Sequence, residues 1–315
     1  MALHRVDTHH HPYPPAYIAA TGDILKHTTH AFYDRLTKWQ PSQAIEAMDR
    51  TGIEISVLSI ATPSVWLGDA AKSCKLARDC NDYAAKMQTD HKGRFGHFAT
   101  LPLPDVDGSL REIEYIYGTL KADGIALTTN YADKYPGEEA FAPVFDELNR
   151  RNAVVYFHPT AASFAFNRVK DIPPPTIEFP FDTTRTITSL LFSGTFSRCP
   201  NIKWVFSHGG GALGMVANRL AGLAKNRPEL AARVPNGVMH ELSKLYLDVV
   251  GVTTPGALHA ILDIVPMSQL LFGSDFPFWK PEETIDGLAG LKLPAADLAS
   301  IERGNALKLL PGLGR

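Results

Sequence analysis

Histidine and aspartate residues stand where several apolar stretches of this sequence end. His9 and His11 follow the short apolar run that opens the chain, and His158, His208 and Asp275 close three later runs. Because side chains alternate along a strand, His9 and His11 would project to the same side. Imidazole nitrogen and carboxylate oxygen are suitable ligands for Zn²⁺ or Mn²⁺. We therefore predict that these five residues, far apart in the sequence, meet around one divalent metal ion.

Strand-like and helix-like patterns alternate along the whole chain. The strand-like runs are residues 3–9, 53–60, 95–103, 124–129, 153–157, 202–207, 245–250 and 269–273. Eight strands separated by helices in 315 residues predict a (β/α)8 TIM barrel, interpreted as one domain over residues 1–315. Loops at the carboxyl ends of barrel strands build the active site, and the ligand-type residues all fall there. A doubly wound open sheet is the alternative fold, but no glycine-rich phosphate loop follows an early strand.

Two long segments interrupt this alternation. Residues 11–40 follow strand 1 and are rich in proline, threonine and histidine, with a short helix expected near 32–38. Residues 160–179 follow strand 5 and contain three consecutive prolines, and a helix is expected after them at 182–196. We predict that both segments are long loop excursions over the mouth of the barrel.

Composition excludes several kinds of partner. The net charge is −2 and there is no basic block, which is not the pattern of a nucleic-acid-binding protein. No apolar run approaches the roughly 20 residues that a membrane span needs, and the first residues do not resemble a signal peptide. The three cysteines have no CxxC spacing and indicate reduced thiols. We expect a cytoplasmic protein that binds neither nucleic acid nor a membrane.

Four short motifs carry a resemblance to a known family. They are Asp-Thr-His-His-His at 7–11, Phe-His-Pro at 157–159, Ser-His-Gly-Gly-Gly at 207–211 and Gly-Ser-Asp-Phe-Pro at 273–277. They resemble, in the same order, motifs of the amidohydrolase superfamily, and most of all its metal-dependent decarboxylases without an organic cofactor. That branch includes the α-amino-β-carboxymuconate-ε-semialdehyde, γ-resorcylate and 6-methylsalicylate decarboxylases. The resemblance implies His9, His11, His158 and Asp275 as metal ligands, with His208 as an acid–base residue beside the metal.

Other positions refine what the resemblance implies. Arg219 stands at the offset from His208 at which this branch has an arginine for the substrate carboxylate, in some members from the neighbouring subunit; a homodimer is therefore expected. Phe32 stands near the place of a second substrate-binding arginine, with Arg35 beside it, which argues against a dicarboxylate substrate. Strand 4 ends in Thr-Thr-Asn at 128–130, without the lysine that bridges two metals in other members of the superfamily. One metal ion is therefore expected.

The implied activity is decarboxylation of a small aromatic or unsaturated carboxylic acid, most simply a hydroxybenzoate. Protonation of the ring carbon that bears the carboxylate would allow CO₂ to leave, and the donor is either Asp275 or metal-bound water polarised by His208. Phe276, Phe278 and Trp66 are suited to hold a flat ring, with ordinary core packing as the alternative for each. A metal-dependent hydrolase of a lactone, ester or amide, or a hydratase, is the alternative enzyme, and a non-catalytic metal-binding barrel is a third interpretation.

Overall fold

The computed structural model describes residues 4–28, 32–165 and 169–313, which form a barrel of eight parallel strands. The strands are β1 (Arg5–His10), β2 (Ile53–Leu58), β3 (Phe95–Thr100), β4 (Gly124–Thr128), β5 (Val154–His158), β6 (Lys203–Phe206), β7 (Tyr246–Asp248) and β8 (Leu270–Leu271). Each strand pairs with the next one in chain order. The barrel is closed between its last and first strands, because the Thr8 N–H donates to the Phe272 carbonyl at 3.0 Å and His10 pairs with Phe276. The predicted (β/α)8 fold is confirmed; the interpretation as a single domain over 1–315 stays a prediction.

Helices fill the connections between the strands. They are α1 (Pro15–Thr28), α2 (Tyr33–Thr37), α3 (Pro41–Thr51), α4 (Ala70–Asp90), α5 (Val106–Tyr115), α6 (Ala142–Arg150), α7 (Pro174–Phe192), α8 (Thr195–Arg198), α9 (Leu213–Lys225), α10 (Pro228–Ala231), α11 (Val238–Leu242), α12 (Pro255–Leu262), α13 (Pro281–Gly290), α14 (Ala295–Ala299) and α15 (Asn305–Leu309). In the described part of the chain, none of these helices combines the length and the apolar character that a membrane span requires.

Ordinary helix signals account for several of these boundaries. Helix α3 begins with Pro41, whose missing N–H costs nothing in a first turn, and a capping box joins Gln40 and Gln43. It ends before Gly52, which has a φ of 72°. The side chains of Asp69 and Asp105 accept from backbone N–H groups and begin α4 and α5.

The barrel interior is apolar away from its mouth. A buried cluster takes side chains from most of the strands and extends to the last helix: Val6, Ile55, Val57, Phe98, Ala126, Val154, Tyr156, Val205, Leu271, Ala306, Leu309 and Leu310. A larger apolar cluster lies between the strands and the surrounding helices. Because apolar side chains fill this interior, buried His9, His11, His158 and Asp275 are left at the carboxyl ends of the strands.

The first excursion differs from its prediction. Its short helix is confirmed as α2, but residues 15–28 form α1, a helix that the weak sequence pattern did not predict. Tyr17, Thr21 and Leu25 are its buried positions, so a threonine interrupts the apolar stripe that would indicate a helix. Leu3, predicted as the first residue of strand 1, lies outside the described residues.

The second excursion is shorter than predicted. Helix α7 begins at Pro174, within the segment assigned to a loop, because proline is tolerated in a first helical turn. The helix also ends earlier than predicted, at Phe192, since Gly194 adopts a φ of 79° before α8. Among the described residues, 160–165 and 169–173 precede α7, with a 3₁₀ turn at Ser163–Ala165, and their place over the mouth stays a prediction.

Candidate metal centre

The five ligand-type residues predicted from the sequence do meet at the carboxyl ends of the strands. Asp275 Oδ1 lies 3.0 Å from His11 Nε2, 3.2 Å from His9 Nε2 and 3.9 Å from His158 Nε2. Asp275 Oδ2 lies 3.8 Å from His208 Nε2. One ligand atom each of His9, His158, His208 and Asp275 falls within 4.8 Å of the others, a group that does not include His11. The Asp275 carboxylate is thus the common centre, with His208 on its second oxygen.

Three of the imidazoles are held so that Nε2 faces this centre. Nδ1 of His9 lies 2.9 Å from an oxygen of Asp248, Nδ1 of His11 lies 2.9 Å from the Ser59 carbonyl, and Nδ1 of His158 lies 2.9 Å from the carbonyl of the following proline. These oxygens only accept, so each Nδ1 carries the hydrogen. The lone pair of a neutral ring then lies on Nε2, as a metal ligand requires.

The donor set fits a divalent cation. Nε2 of His158 is buried without a hydrogen-bond partner, which is costly unless something else occupies it. Nε2 of His9 and of His11 face each other at 3.1 Å, a distance that two lone pairs cannot share without a cation or a proton between them. Three imidazole nitrogens and one carboxylate oxygen are the ligands that Zn²⁺ and Mn²⁺ accept.

The electrostatics of the site also favour positive charge. Burial alone would lower the pKa of His9, but the carboxylates of Asp248 and Asp275 outweigh it and raise this pKa to about 10. Burial alone would raise the pKa of Asp275, but positive His9 and the neighbouring imidazoles of His11 and His158 hold this pKa well below its usual range. Burial lowers the pKa of His11, His158 and His208. The site therefore combines ionised carboxylates with mostly neutral imidazoles.

Comparison with known proteins places this site in a family. A family model described as amidohydrolase matches residues 6–312. The chain belongs to the amidohydrolase family.

Two fungal relatives of this amidohydrolase align over almost their whole length. Decarboxylase macB of Penicillium terrestre is 35% identical over 98% of this chain and 95% of its own. The 6-methylsalicylic acid decarboxylase of Penicillium expansum is 31% identical over 98% of this chain and 97% of its own. A crystal structure of a dihydroxybenzoic acid decarboxylase from Polaromonas sp. JS666, with bound manganese and the inhibitor 2-nitroresorcinol, has a TM-score of 0.83 at 22% identity. It covers 99% of this chain and 97% of that one, and shares the fold.

Two site residues of this amidohydrolase have an unusual backbone. His208 and Asp275 have φ values of 53° and 57°, in the left-handed region, which costs a residue other than glycine about 1–3 kcal/mol. The Asp275 N–H donates to the His9 carbonyl at 2.8 Å, which fixes the turn after β8. A Cβ at Gly273 would lie 2.8 Å from Cβ of His9, so only glycine lets the two strands approach this closely.

Two buried carboxylates beside the site are functional candidates that sequence reasoning missed. Asp248 lies against His9, as described above. Asp7 accepts from the N–H and hydroxyl of Ser274, at 2.9 and 2.6 Å, and contacts Nδ1 of His10 at 3.0 Å. His10 thus lies behind the site, as its position along the strand predicts. Asp7 stands in the first motif and Asp248 in strand 7, but neither ends a strand-like run next to a histidine.

The predicted aromatic residues lie at different depths. The Phe278 ring contacts the edge of His11, with centroids 5.9 Å apart. The Phe276 ring is partly exposed and stacks on His10 with centroids 4.9 Å apart. Trp66 is partly buried against the main apolar core. Phe179 of α7, which was not predicted, lies 6.4 Å from the ring of His158. Phe278 and Phe179 therefore flank the imidazoles of His11 and His158.

The two arginines have different surroundings. Arg219 lies on α9 with an exposed side chain, and among the described residues it forms no hydrogen bond or ion pair. Arg35 donates to the Pro277 carbonyl at 2.9 Å and lies over the Phe32 ring. Arg35 therefore stabilises the loop after β8, and part of its hydrogen-bonding capacity is used by the Pro277 carbonyl.

Proposed function

We propose that this amidohydrolase is a carboxy-lyase that removes CO₂ from a hydroxybenzoate-type aromatic acid with the help of one divalent metal ion. The observation that carries the reaction class is the near full-length similarity to two enzymes named decarboxylases, at 35% and 31% identity. The second of them is named for 6-methylsalicylic acid, an aromatic acid with a hydroxyl beside the carboxylate. A metal site able to hold both oxygens of such an acid fits this chemistry.

The proposed ligands are His9, His11, His158 and Asp275, and the ion is Zn²⁺ or Mn²⁺. The convergence of their donor atoms and the commitment of each Nδ1 to an acceptor support this assignment. The manganese bound in the Polaromonas enzyme is consistent with Mn²⁺ in a barrel of this fold. A single ion is proposed because the end of β4 carries Thr128-Thr129-Asn130 and no lysine.

His9, His11, His158 and Asp275 would hold the ion, which would supply positive charge for the negatively charged oxygens of the substrate. A proton then forms a C–H bond at the ring carbon that bears the carboxylate. The C–C bond breaks, its electron pair restores the aromatic ring, and CO₂ leaves. Asp275 is ionised and burial lowers the pKa of His208, so the proton would come from water, and we assign its transfer to Asp275 Oδ2 and His208 Nε2, which lie 3.8 Å apart. The His208 side chain is 20% exposed, so the substrate can reach it.

Substrate binding is assigned to Phe278, Phe276 and Trp66 around the ring and to Arg219 at the carboxylate. Phe278 has the strongest structural support of the three aromatic residues, because its ring contacts His11. Arg219 lies between Met215 and Leu223, one helical turn away on each side, which are 78% and 42% exposed. We propose that this face of α9 contacts the second copy of a homodimer, so that Arg219 serves the neighbouring site. The cytoplasm remains the proposed location, on the ground that the three cysteines are free thiols.

The test begins with metal removal. The purified protein is treated with a chelator, reconstituted with Zn²⁺ or Mn²⁺, and assayed with hydroxybenzoates and lactones. CO₂ release should follow loss of the phenolic acid and should require the added metal at one ion per chain. Lactone opening without CO₂ from any acid would favour the hydrolase instead. Full activity in the metal-free protein would refute the site.

A further inference from the structure

Asp248 uses both oxygens of its carboxylate at the metal centre, although it lies outside the group of ligand atoms that converge there. It is the last residue of β7 and its side chain is fully buried. Oδ2 lies 2.9 Å from Nδ1 of His9. Oδ1 accepts from the backbone N–H groups of His208 at 2.9 Å and Val250 at 3.1 Å. One carboxylate therefore contacts two functional residues that come from β1 and from the turn after β6.

The contact with His9 fixes which nitrogen carries the hydrogen. A carboxylate only accepts, so Nδ1 of His9 must donate and Nε2 keeps its lone pair for the metal. The same contact fixes the rotation of the ring, because Nδ1 is held at one point. Without it, the ring could place the hydrogen on Nε2 and lose its ability to bind a cation.

The contact with His208 anchors an unusual turn. His208 and the three glycines after it have φ values of 53°, 63°, 73° and 69°, four left-handed residues in succession. The N–H groups of Gly210 and Gly211 donate to the carbonyls of Ser207 and His208 at 3.1 and 3.0 Å. The N–H of His208 itself donates to Asp248. The imidazole of His208 leaves the backbone at this point, so its distance to Asp275 depends on the anchor.

We propose that Asp248 is a positioning residue that sets the metal-binding form of His9 and the place of the His208 imidazole together. The inference rests on the proposed metal site. It predicts that a neutral residue of the same shape cannot replace Asp248. An asparagine has one accepting oxygen and one donating NH₂ group. If its oxygen keeps the N–H of His208, its NH₂ faces Nδ1 of His9 and drives the hydrogen to Nε2. If the amide is turned round, its NH₂ faces the backbone N–H groups of His208 and Val250.

The variant Asp248→Asn tests both proposed roles of Asp248, towards His9 and towards His208. Its matched control is Asp123→Asn. Asp123 also accepts a backbone N–H from a histidine, since the N–H of His97 lies 2.9 Å from its carboxylate. It precedes β4 and so lies at the opposite end of the barrel from the metal site. Mn²⁺ binding is measured by electron paramagnetic resonance of the free ion. We expect binding by Asp248→Asn to be about 10–100-fold weaker than in the wild type, as for other residues that orient metal ligands. Asp123→Asn should bind as the wild type does.

A second readout separates the two roles. At saturating Mn²⁺, kcat of Asp248→Asn should stay low because His208 remains displaced. Recovery of wild-type kcat would show that Asp248 does not position His208. Wild-type Mn²⁺ affinity would show that Asp248 does not set the metal-binding form of His9. The proposed metal site has its own test, because a wild-type protein that binds neither Mn²⁺ nor Zn²⁺ would refute it whatever the variant does.

A measurement on the wild type keeps the inference testable if Asp248→Asn does not fold. In protein labelled with ¹⁵N-histidine and loaded with Zn²⁺, the His9 ring should show a proton on Nδ1 and a metal-bound Nε2. The assignment comes from loss of that signal in His9→Gln. A His9 ring bound to zinc through Nδ1, or without a proton there, would overturn the inference.

Discussion

The substitution Asp275→Asn removes the charge at the common centre of the metal site while it keeps the shape of the side chain. Asparagine is among the residues that best tolerate the left-handed backbone found here, with a φ of 57°, and the backbone N–H can still donate to the His9 carbonyl. The protein should therefore fold. The amide oxygen would remain near His9 and His11, but as a weaker ligand than a carboxylate.

The expected size of the effect follows from the number of ligands. Four-ligand zinc sites in small domains have apparent binding free energies of about 10–16 kcal/mol, so one ligand accounts for about 3 kcal/mol. A loss of about 3 kcal/mol weakens metal binding by about 100-fold. Because Asp275 Oδ1 lies within 4 Å of three imidazole nitrogens, the loss of its charge affects the whole site.

The assay is a competition titration with a chromogenic chelator, followed by CO₂ release at each metal concentration. Asp275→Asn should need about 100-fold more free metal for half occupancy and should have no measurable decarboxylation at the metal level that saturates the wild type. Asp123→Asn is the control for loss of a partly buried carboxylate far from the mouth. Wild-type metal affinity in a folded Asp275→Asn protein would refute the assignment of Asp275 as a ligand.

Three further predictions concern the substrate and stability. Arg219→Ala should raise KM by about tenfold or more with metal content unchanged, and mixed subunits of Arg219→Ala and His158→Ala should regain activity; no recovery in confirmed mixed dimers would contradict the shared site. Phe278→Ala should raise KM about threefold to tenfold without changing metal affinity, and an unchanged KM would remove Phe278 from the binding site. Burial lowers the pKa of His97 to about 4, below its value of 6.5 in the unfolded chain. Between these two pH values the unfolded chain binds a proton at His97 and the folded protein does not. The protein therefore loses stability as the pH falls through this range. The loss in the free energy of unfolding is about 3 kcal/mol. Urea unfolding between pH 7 and 4 should show a shallower fall of this free energy in His97→Gln than in the wild type. Parallel curves for the two proteins would contradict this prediction.

The eight strands were predictable from the sequence because each is a short apolar run between polar turns. The residues at which the strands end were harder to predict. Strand β8 contains only Leu270–Leu271, although the run continues to Gly273, because the chain turns towards β1 where Gly273 meets His9. Helix α1 was missed because its buried stripe contains Thr21, whose hydroxyl donates to the Tyr17 carbonyl within the helix. Local pattern does not reveal a polar side chain that is satisfied inside its own helix.

Sequence reasoning found the residues of the candidate metal centre that end a strand, but it did not find the residues that contact them from the side; the metal site itself stays a prediction. His9, His11, His158 and Asp275 could be found because strand geometry brings strand ends together in any barrel of this kind. Phe179 could not, since it lies on a helix whose start was misplaced. Asp248 could not, because its role depends on which side chain it meets across the barrel, and its own neighbours in the sequence are apolar.

The glycines of the motifs explain why some site residues are visible in a single sequence. His208 is followed by three glycines that share its left-handed backbone, and a Cβ at the last of them would lie 2.0 Å from the Pro180 carbonyl oxygen of α7. Any other residue there would push α7 away and would move Phe179 with it. The turn that presents His208 therefore requires these glycines. The sequence motif is recognisable because it contains the glycines that the backbone needs as well as the histidine. The residues that hold the turn from outside, above all Asp248, need only one carboxylate in the right place, and a single aspartate in a strand leaves no comparable pattern.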